Sequence, residues 1–294
     1  MFENFSKMQE SYKKALEYIP KVKDEETKRS YLLHLGIDHA ESLSNFGRLK
    51  EAIALCDNLK EIVKVTKNES QKPAFFGTSA LIRLRYGQYE QCLKDLDSCF
   101  ELISKEKNPQ YLPFSMLIKA HCLLYLGDIK KAYQIIEECY PHLVDIFVTP
   151  ECAALINAQL VKGACLAGFG KLEEAMELIQ QSLGPYEKST GFENDVLKGM
   201  GHRILGEIFE AKEDLAKAFK EYTKAENLYE NILHEKTLDE LGLLYTRLAI
   251  LGAKLGDDRM VDKYLTLHIK NFGLSHPRTF EIKQYLDNYS LPLP

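Results

Sequence analysis

The most regular feature of the chain is an alternation of apolar helical stretches with short turns that end in glycine. Five turns end at Gly47, Gly87, Gly127, Gly170 and Gly256, and Glu213 stands where a sixth would fall. Successive turns are 40 to 43 residues apart. Glycine suits the end of a helix because it enters the left-handed region without strain from a Cβ atom. The pattern therefore predicts six helix–turn–helix pairs.

Small side chains recur at a fixed distance from these turns. Seven residues before each turn the chain has Ala40, Ala80, Ala120, Gly163, Gly206 and Ala249. Nine residues after it stand Cys56, Leu96, Ile136, Ile179, Tyr222 and Leu265, which we expect to fill space further out. Small residues let two helices joined by a tight turn approach closely. Each pair then leaves an apolar face that the next pair covers.

Part of this pattern resembles the tetratricopeptide repeat. Residues 205–209 (LGEIF) and 218–225 (AFKEYTKA) are similar to most of that motif, and residues 12–15 (YKKA) resemble its second helix. Residues 273–279 (GLSHPRT) resemble the segment between kinesin-light-chain-like repeats. The resemblance spans about residues 8–272. The period exceeds the usual one of about 34 residues, which implies longer helices or longer connections.

The resemblance implies an all-α fold, a right-handed superhelix of about six helix pairs in a single domain. We expect an N-terminal helix within residues 1–25, the six pairs within 26–272, and a capping helix with a loose tail within 273–294. HEAT repeats share the longer period and are the alternative architecture. The columns of small residues favour the tetratricopeptide interpretation.

Charge and composition narrow the class of partner. A nucleic-acid-binding protein is usually basic, whereas this chain has a net charge of −5 with its charges mixed along the sequence. The sequence has no apolar run of membrane-spanning length, and residues 1–5 lack the basic start of a secretory signal. Seven cysteines without a paired framework indicate free thiols in a reducing compartment. We therefore expect a cytoplasmic protein that neither inserts into a membrane nor binds nucleic acid.

Candidate chemistry is sparse. Cys139 and His142 are three residues apart, but Pro141 disturbs that spacing and Cys139 belongs to a column of small residues. The chain has no CxxC motif, no phosphate-binding loop and no signature of a nucleophile. We therefore expect no metal site, no cofactor and no enzymatic activity.

In tetratricopeptide proteins the first helices of successive pairs line a concave groove that holds a peptide or a helix, and the resemblance implies such a groove here. Helical spacing directs nine candidate residues toward it: Leu117, Ile118, His121, Tyr125, Leu160, Val161, Arg203, Arg247 and Lys254. We expect the apolar members to bind an apolar or amphipathic segment and the three cations to contact acidic groups. The alternative is that the longer helices rotate the apolar residues into the core.

The groove predicts a binding function. A scaffold or adaptor that holds a segment of another protein is the leading hypothesis. A peptide- or ligand-sensing regulator resembling the Rap type is the alternative, and a secreted effector on the same scaffold is a further one. Fold resemblance alone does not decide among them.

Overall fold

The computed structural model describes residues 2–104, 111–147, 149, 152–188, 191–232, 237–274 and 276–288, with the backbone alone for 2–4, 277 and 286–288. Within these ranges the secondary structure consists of fourteen α-helices and three short 3₁₀ turns. None of the described helices combines the length and the apolar character that a membrane crossing requires. The helices group into two compact units, unit 1 (Met1–Ile146) and unit 2 (Phe147–Pro294).

Each unit contains seven of the described helices. Unit 1 has α1 (Phe2–Tyr18), α2 (Glu25–Asn45), α3 (Leu49–Val65), α4 (Lys72–Tyr86), α5 (Tyr89–Ile103), α6 (Leu112–Tyr125) and α7 (Ile129–Ile146). Unit 2 has α8 (Ala153–Gly168), α9 (Leu172–Leu183), α10 (Phe192–Ala211), α11 (Leu215–Ile232), α12 (Asp239–Leu255), α13 (Asp258–Phe272) and α14 (Pro277–Asn288). The 3₁₀ turns are Ile19–Lys21, Glu69–Gln71 and Gly184–Tyr186.

The predicted helix pairs are present, three in each unit. Unit 1 contains the pairs α2–α3, α4–α5 and α6–α7, and unit 2 contains α8–α9, α10–α11 and α12–α13. Helix α1 packs on α2, and α14 packs on α12 and α13. The predicted all-α fold of six pairs with a helix at either end is thus confirmed. The grouping of all pairs in a single domain stays a prediction, and the predicted tail at residues 291–294 lies outside the described residues.

The six turns share one backbone geometry. The five turn glycines have φ between 68° and 84°, and Glu213 has φ 62°. In the sixth turn the amide of Asp214 donates to the carbonyl of Phe209 at 2.9 Å, which closes the end of α10 as in a Schellman motif. A left-handed conformation costs a non-glycine residue about 1–2 kcal/mol. Glu213 therefore occupies the sixth turn as predicted, and the turn keeps its shape despite that strain.

The small residues before the turns face the large residues of the following helix. A Cβ atom added at Gly206 would stand 2.3 Å from Cε1 of Tyr222, and one at Gly163 would stand 2.7 Å from Cγ1 of Ile179. Both distances are far below a van der Waals contact, so only glycine leaves room for these side chains. The expectation that the large residues fill space further out is wrong at these two positions, because they lie directly opposite the small ones.

A buried arginine ties three helices of unit 1 together. Arg83 on α4 donates from Nε to Asp95 at 2.9 Å, from Nη1 to Gln88 at 2.6 Å and from Nη2 to Asp57 at 2.5 Å. The hydroxyl of Ser79 donates to Asp95 at 2.6 Å. Arg83 and Asp95 are 4% and 3% exposed. All three guanidinium nitrogens of Arg83 are thus engaged, as a buried charge requires.

Helix α14 is fixed to unit 2 by a polar cluster around a buried histidine. The hydroxyl of Thr279 donates to the carbonyl of Gly273 at 2.9 Å, and it lies 3.1 Å from Nδ1 of His268. Because that hydroxyl has only one hydrogen, Nδ1 of His268 is the donor in the second contact. Nε2 of His268 has no hydrogen-bond partner in the described part of the chain. Arg278 also pairs with Asp239 at 2.9 Å, which joins α14 to α12.

Candidate functional site

The first helices of the pairs in unit 2 lie side by side, because α10 contacts both α8 and α12. Helical spacing puts Glu207 and Glu210 near one another on α10, and Arg247 and Lys254, two turns apart, on one side of α12. The two sets meet. Arg247 Nε donates to Glu207 Oε1 at 3.1 Å, and Lys254 Nζ donates to Glu210 Oε1 at 2.5 Å. We call these four residues the α10–α12 face.

A chain of alternating charges leads from the interior of unit 2 to this face. Its members are, in order, Glu240, Arg203, Glu207 and Arg247. Arg203 donates from Nε to Glu240 at 2.8 Å and from Nη1 to Glu207 at 2.7 Å. The hydroxyl of Tyr229 adds a contact to Glu240 at 3.3 Å. Because Arg203 and Glu240 are only 3% and 6% exposed, the inner half of this series of charges is shielded from solvent.

Burial and neighbouring charges shift the pKa values of Glu240 and Glu207 in opposite directions. Desolvation raises the pKa of Glu240 to about 8, against a smaller lowering by Arg278. Desolvation also acts on Glu207, but the guanidinium groups of Arg203 and Arg247 outweigh it and hold the pKa of Glu207 below its usual value. Glu207 is therefore ionised near neutral pH. Burial disfavours the charged form of Glu240, and the two hydrogen bonds that it accepts from Arg203 favour that form.

The second carboxylate of the face is positioned from the interior by a tyrosine. The hydroxyl of Tyr222 on α11 donates to Glu210 Oε2 at 2.8 Å, while Lys254 binds the other carboxylate oxygen. The Tyr222 side chain is fully buried, and it fits because the facing residue is Gly206. Gly206 thus leaves the space in which the buried Tyr222 side chain lies, and the hydroxyl of Tyr222 orients Glu210 on the α10–α12 face.

Two of the three guanidinium nitrogens of Arg247 form no hydrogen bond with the described residues. Its Nε donates to Glu207, but Nη1 and Nη2 have no hydrogen-bond partner among the residues that the structure describes. Its side chain is 35% exposed. After the larger effect of Glu207, Glu281 on α14 contributes to raising the pKa of Arg247, yet Glu281 forms no ion pair with it in the described structure. Glu207 therefore orients a guanidinium whose Nη1–Nη2 edge remains open.

The structure corrects the expected role of Arg203. We expected this side chain to contact acidic groups of a partner, but it is buried and its three nitrogens donate to Glu207 and Glu240. The physical reason is that a buried guanidinium is stable only beside carboxylates. Arg247 and Lys254 keep exposed portions, so a contact between them and a partner stays a prediction.

In unit 1 the candidate residues of α6 divide into buried and half-buried positions. Leu117 and His121 are 4% and 8% exposed, so the expected accessibility is not found there. Ile118 and Tyr125 are half-buried and pack against a core cluster that includes Leu96. The rings of His121 and Tyr125 lie 4.6 Å apart. Only Ile118 and Tyr125 therefore present part of their surface, and a partner contact by them stays a prediction.

The candidate residues of α8 are core residues. Leu160 and Val161 have no exposed surface, so the expectation of an accessible apolar groove centre is wrong at these positions. Helix α8 packs against both α9 and α10, which leaves little of its apolar circumference for solvent. The sequence had left open that the helices rotate these side chains into the core. A charge introduced at Leu160 would consequently test folding, and it would not report on a partner.

The nine candidate residues did not include the acids of this network, although helical spacing turns Glu207 and Glu210 inward beside Arg203. Glu207 and Glu210 lie 40 and 44 residues before the cations that they bind, which is one repeat, and that spacing was a usable signal. Glu240 gave no such signal. With Asp239 it forms an acidic pair at a helix start, a pattern typical of a solvated first turn. The structure instead buries both side chains, at 1% and 6% exposure.

The cysteines offer little chemistry. All seven are free thiols, six of them buried and Cys152 half-buried. Burial raises the pKa of Cys139 and of Cys165 to about 12, so these two stay protonated, whereas the thiolate is the form that attacks or binds metal. The described residues contain no group of three or more His, Cys, Asp or Glu side chains that could hold a metal ion. The arrangement of unit 2 is suited to binding through hydrogen bonds and ion pairs.

Comparisons with known proteins agree on the fold. No protein-family model and no curated protein sequence matches the chain. The structure of NprR in complex with its cognate peptide NprX matches with a TM-score of 0.72 at 17% identity, over 98% of this chain and 85% of that one. A Rap protein complexed with competence and sporulation factor gives 0.66 at 10% identity, over 98% and 87%. A tetratricopeptide repeat protein from Parabacteroides merdae gives 0.56 at 12% identity, over 98% and 94%. The chain therefore has the fold of the tetratricopeptide-repeat proteins.

Proposed function

We propose that this chain is a non-enzymatic regulatory protein that binds a peptide along the first helices of the pairs in unit 2, with the α10–α12 face as part of the site. One observation carries the proposal: Glu207 holds Arg247 in place while the Nη1–Nη2 edge stays open. A donor that is oriented before the ligand arrives loses less conformational freedom on binding. An exposed arginine without such a partner would not have this advantage.

The chemistry of the face suits an extended peptide. A peptide backbone presents N–H donors and C=O acceptors in alternation, and it lacks intramolecular partners when extended. The face offers carboxylate acceptors at Glu207 and Glu210 and donors at Arg247 and Lys254. Each carboxylate still has lone pairs available, because an ionised carboxylate accepts about four hydrogen bonds. The face can thus satisfy both kinds of backbone group.

The comparisons support a peptide as the class of ligand. NprR and a Rap protein were each solved with a bound peptide or factor, and both share this fold over nearly the whole chain. For this reason we prefer a regulator that binds a free peptide to an adaptor that binds a segment of a larger protein. The adaptor hypothesis predicts a different result in the experiment below.

The test is capture of ligands from the native extract after ultrafiltration into a peptide fraction and a protein fraction. The full chain is immobilised and compared with Lys254→Glu, which reverses a charge on the face, and with Lys220→Glu on α11. Lys220 is an exposed lysine on a second helix and serves as the matched control. Circular dichroism establishes that all three proteins are folded.

We expect a peptide to be enriched by the wild type and by Lys220→Glu and to be lost from Lys254→Glu. A protein captured in the same pattern, with no peptide, would favour the adaptor. Equal capture by all three proteins would contradict a site on the α10–α12 face.

A further inference from the structure

The order of charges in unit 2 indicates what the open edge of Arg247 binds. From the interior outward the order is negative, positive, negative, positive: Glu240, Arg203, Glu207, Arg247. Each inner charge lies between opposite charges, but Arg247 has an ion-pair partner on only one side in the described structure. We propose that a carboxylate of the peptide binds Arg247 and completes this series. This inference rests on the proposed function and specifies the chemistry of its ligand.

The geometry of arginine favours a carboxylate over a single acceptor. A guanidinium presents parallel N–H groups along its edges, and such an edge matches the two oxygens of a carboxylate. Glu207 takes only Nε of Arg247, which leaves the Nη1–Nη2 edge for a bidentate partner. A lone carbonyl oxygen would use this edge only in part. Arg83 in unit 1 has no such edge, because all three of its nitrogens already have partners.

The charges around Arg247 affect this site in both directions. Glu207 is shared by two arginines, so it opposes an incoming anion less than an isolated carboxylate would. Lys254, two turns along α12, adds a positive charge that Glu210 partly compensates. Glu281 lies on α14, which packs on α12, and its charge acts on Arg247 without forming an ion pair in the described structure. Glu281 therefore competes with the ligand, and its removal should strengthen binding.

The carboxylate can come from the C-terminus of the peptide or from an aspartate or glutamate side chain. Three N-acetylated random peptide libraries of equal length separate these sources. The first has a free C-terminus and no acidic side chain, the second is amidated and contains Asp and Glu, and the third is amidated and contains neither. Each library is equilibrated with the full chain, and the retained peptides are quantified by mass spectrometry after size exclusion.

Four variants accompany the wild type: Arg247→Gln, Arg247→Lys, Glu281→Gln and the control Arg259→Gln. Arg259 is an exposed arginine on the second helix α13. We expect the wild type to retain the first or the second library and not the third. Arg247→Gln should lower that retention about tenfold or more, and Arg247→Lys should lose much of it because lysine lacks the planar fork. Glu281→Gln should raise it about twofold to fivefold, and Arg259→Gln should leave it unchanged.

The possible failures are distinguishable. Two results would overturn the carboxylate inference while the proposed function stands, because the wild type would still bind peptides. The first is retention of the third library as strongly as the others, and the second is an equal loss of all three libraries in Arg247→Gln. Retention of no library by the wild type would overturn the proposed function and the inference with it. If Arg247→Gln loses its helical signal, Arg247→Lys, which keeps a charge for Glu207, decides the matter.

Discussion

Arg83 in unit 1 and Arg247 in unit 2 both join neighbouring helices, but Arg83 joins a first helix to two second helices, whereas Arg247 joins two first helices. Arg83 extends from the first helix α4 toward the second helices α3 and α5, through Asp57 and Asp95. Arg247 joins two first helices, α12 and α10, through Glu207. The unit 1 network thus lies among the helices that form the core, whereas the unit 2 network reaches the side on which a ligand is expected.

The two arginines also differ in how many of their donors are used. Arg83 is 4% exposed and uses all three nitrogens, whereas the Arg247 side chain is 35% exposed and uses one. A buried ion pair with every donor satisfied belongs to the fold, since removal of one partner would leave the other charged and buried. An oriented but incompletely bonded arginine at the surface is a candidate for recognition.

The largest effect should come from Arg83→Met, which keeps the volume of the side chain and removes its charge. Asp95 is 3% exposed and would lose its cation. Breaking a buried ion pair in this way costs about 3–5 kcal/mol. We expect the free energy of unfolding, measured by urea titration with circular dichroism, to fall by that amount.

The double variant Arg83→Met/Asp95→Leu separates the buried charge from packing. Because it removes both charges, it should recover much of the stability that the single variant loses. A double variant as unstable as the single one would show that the packing of Arg83, and not its charge, stabilises unit 1.

A second effect follows from His268, whose Nε2 is buried without a partner in the described structure. Desolvation lowers the pKa of His268 to about 4, helped by the nearby His276 and Arg278 and opposed by Asp239. Below about pH 6.5 the unfolded chain binds a proton here that the folded chain takes up only near pH 4. Stability should therefore fall by about 3 kcal/mol as the pH drops through this window.

His268→Asn is the variant that isolates this contribution. Asparagine can still donate to Thr279, but it does not titrate. The difference in unfolding free energy between pH 7 and pH 4 should be smaller in His268→Asn than in the wild type, while the exposed His142→Asn should leave it unchanged. Equal pH dependence in all three proteins would contradict a buried neutral His268.

The helix pairs were predictable from the sequence because their signals are local. Glycine at a turn reports a left-handed φ, and Glu213 was placed in the same geometry by spacing alone. The column of small residues before the turns reports close approach between two helices of a pair. These features depend on neighbours within about twenty residues, so a single sequence contains them.

The orientation of the first helices was not predictable in the same way. A helix in a stacked array is covered by its own second helix and by the next pair, so an apolar periodicity does not indicate which part remains open. Leu160 and Val161 were assigned to the groove for this reason and are core residues. Arg247 was among the candidate residues, but its open edge depends on distances to Glu207 that no sequence spacing supplies.

A third prediction concerns Gly206, which links packing to the α10–α12 face. In Gly206→Ala the new Cβ would meet the ring of Tyr222 at 2.3 Å, so Tyr222 or the backbone must move. Overpacking of this kind costs about 1–3 kcal/mol, and it should also displace the hydroxyl that orients Glu210. Gly184→Ala is the matched control, because a Cβ at Gly184 meets nothing within 4 Å. A loss of less than about 0.5 kcal/mol in Gly206→Ala would show that the helices separate easily here.

The smallest change in stability should come from Arg247→Gln, and it decides whether the two arginines differ in kind. Its side chain is 35% exposed, and Glu207 would keep Arg203 as a partner at 2.7 Å. A partly exposed ion pair contributes about 1 kcal/mol or less, so the loss in unfolding free energy should stay below that of Arg83→Met by a factor of at least about three. If both substitutions lower the free energy of unfolding equally, Arg247 stabilises the fold as Arg83 does, and the case for its role in recognition fails. If Arg247→Gln leaves the free energy of unfolding almost unchanged, Glu207 does not orient Arg247 to stabilise the fold. That result is expected of a residue that binds a ligand.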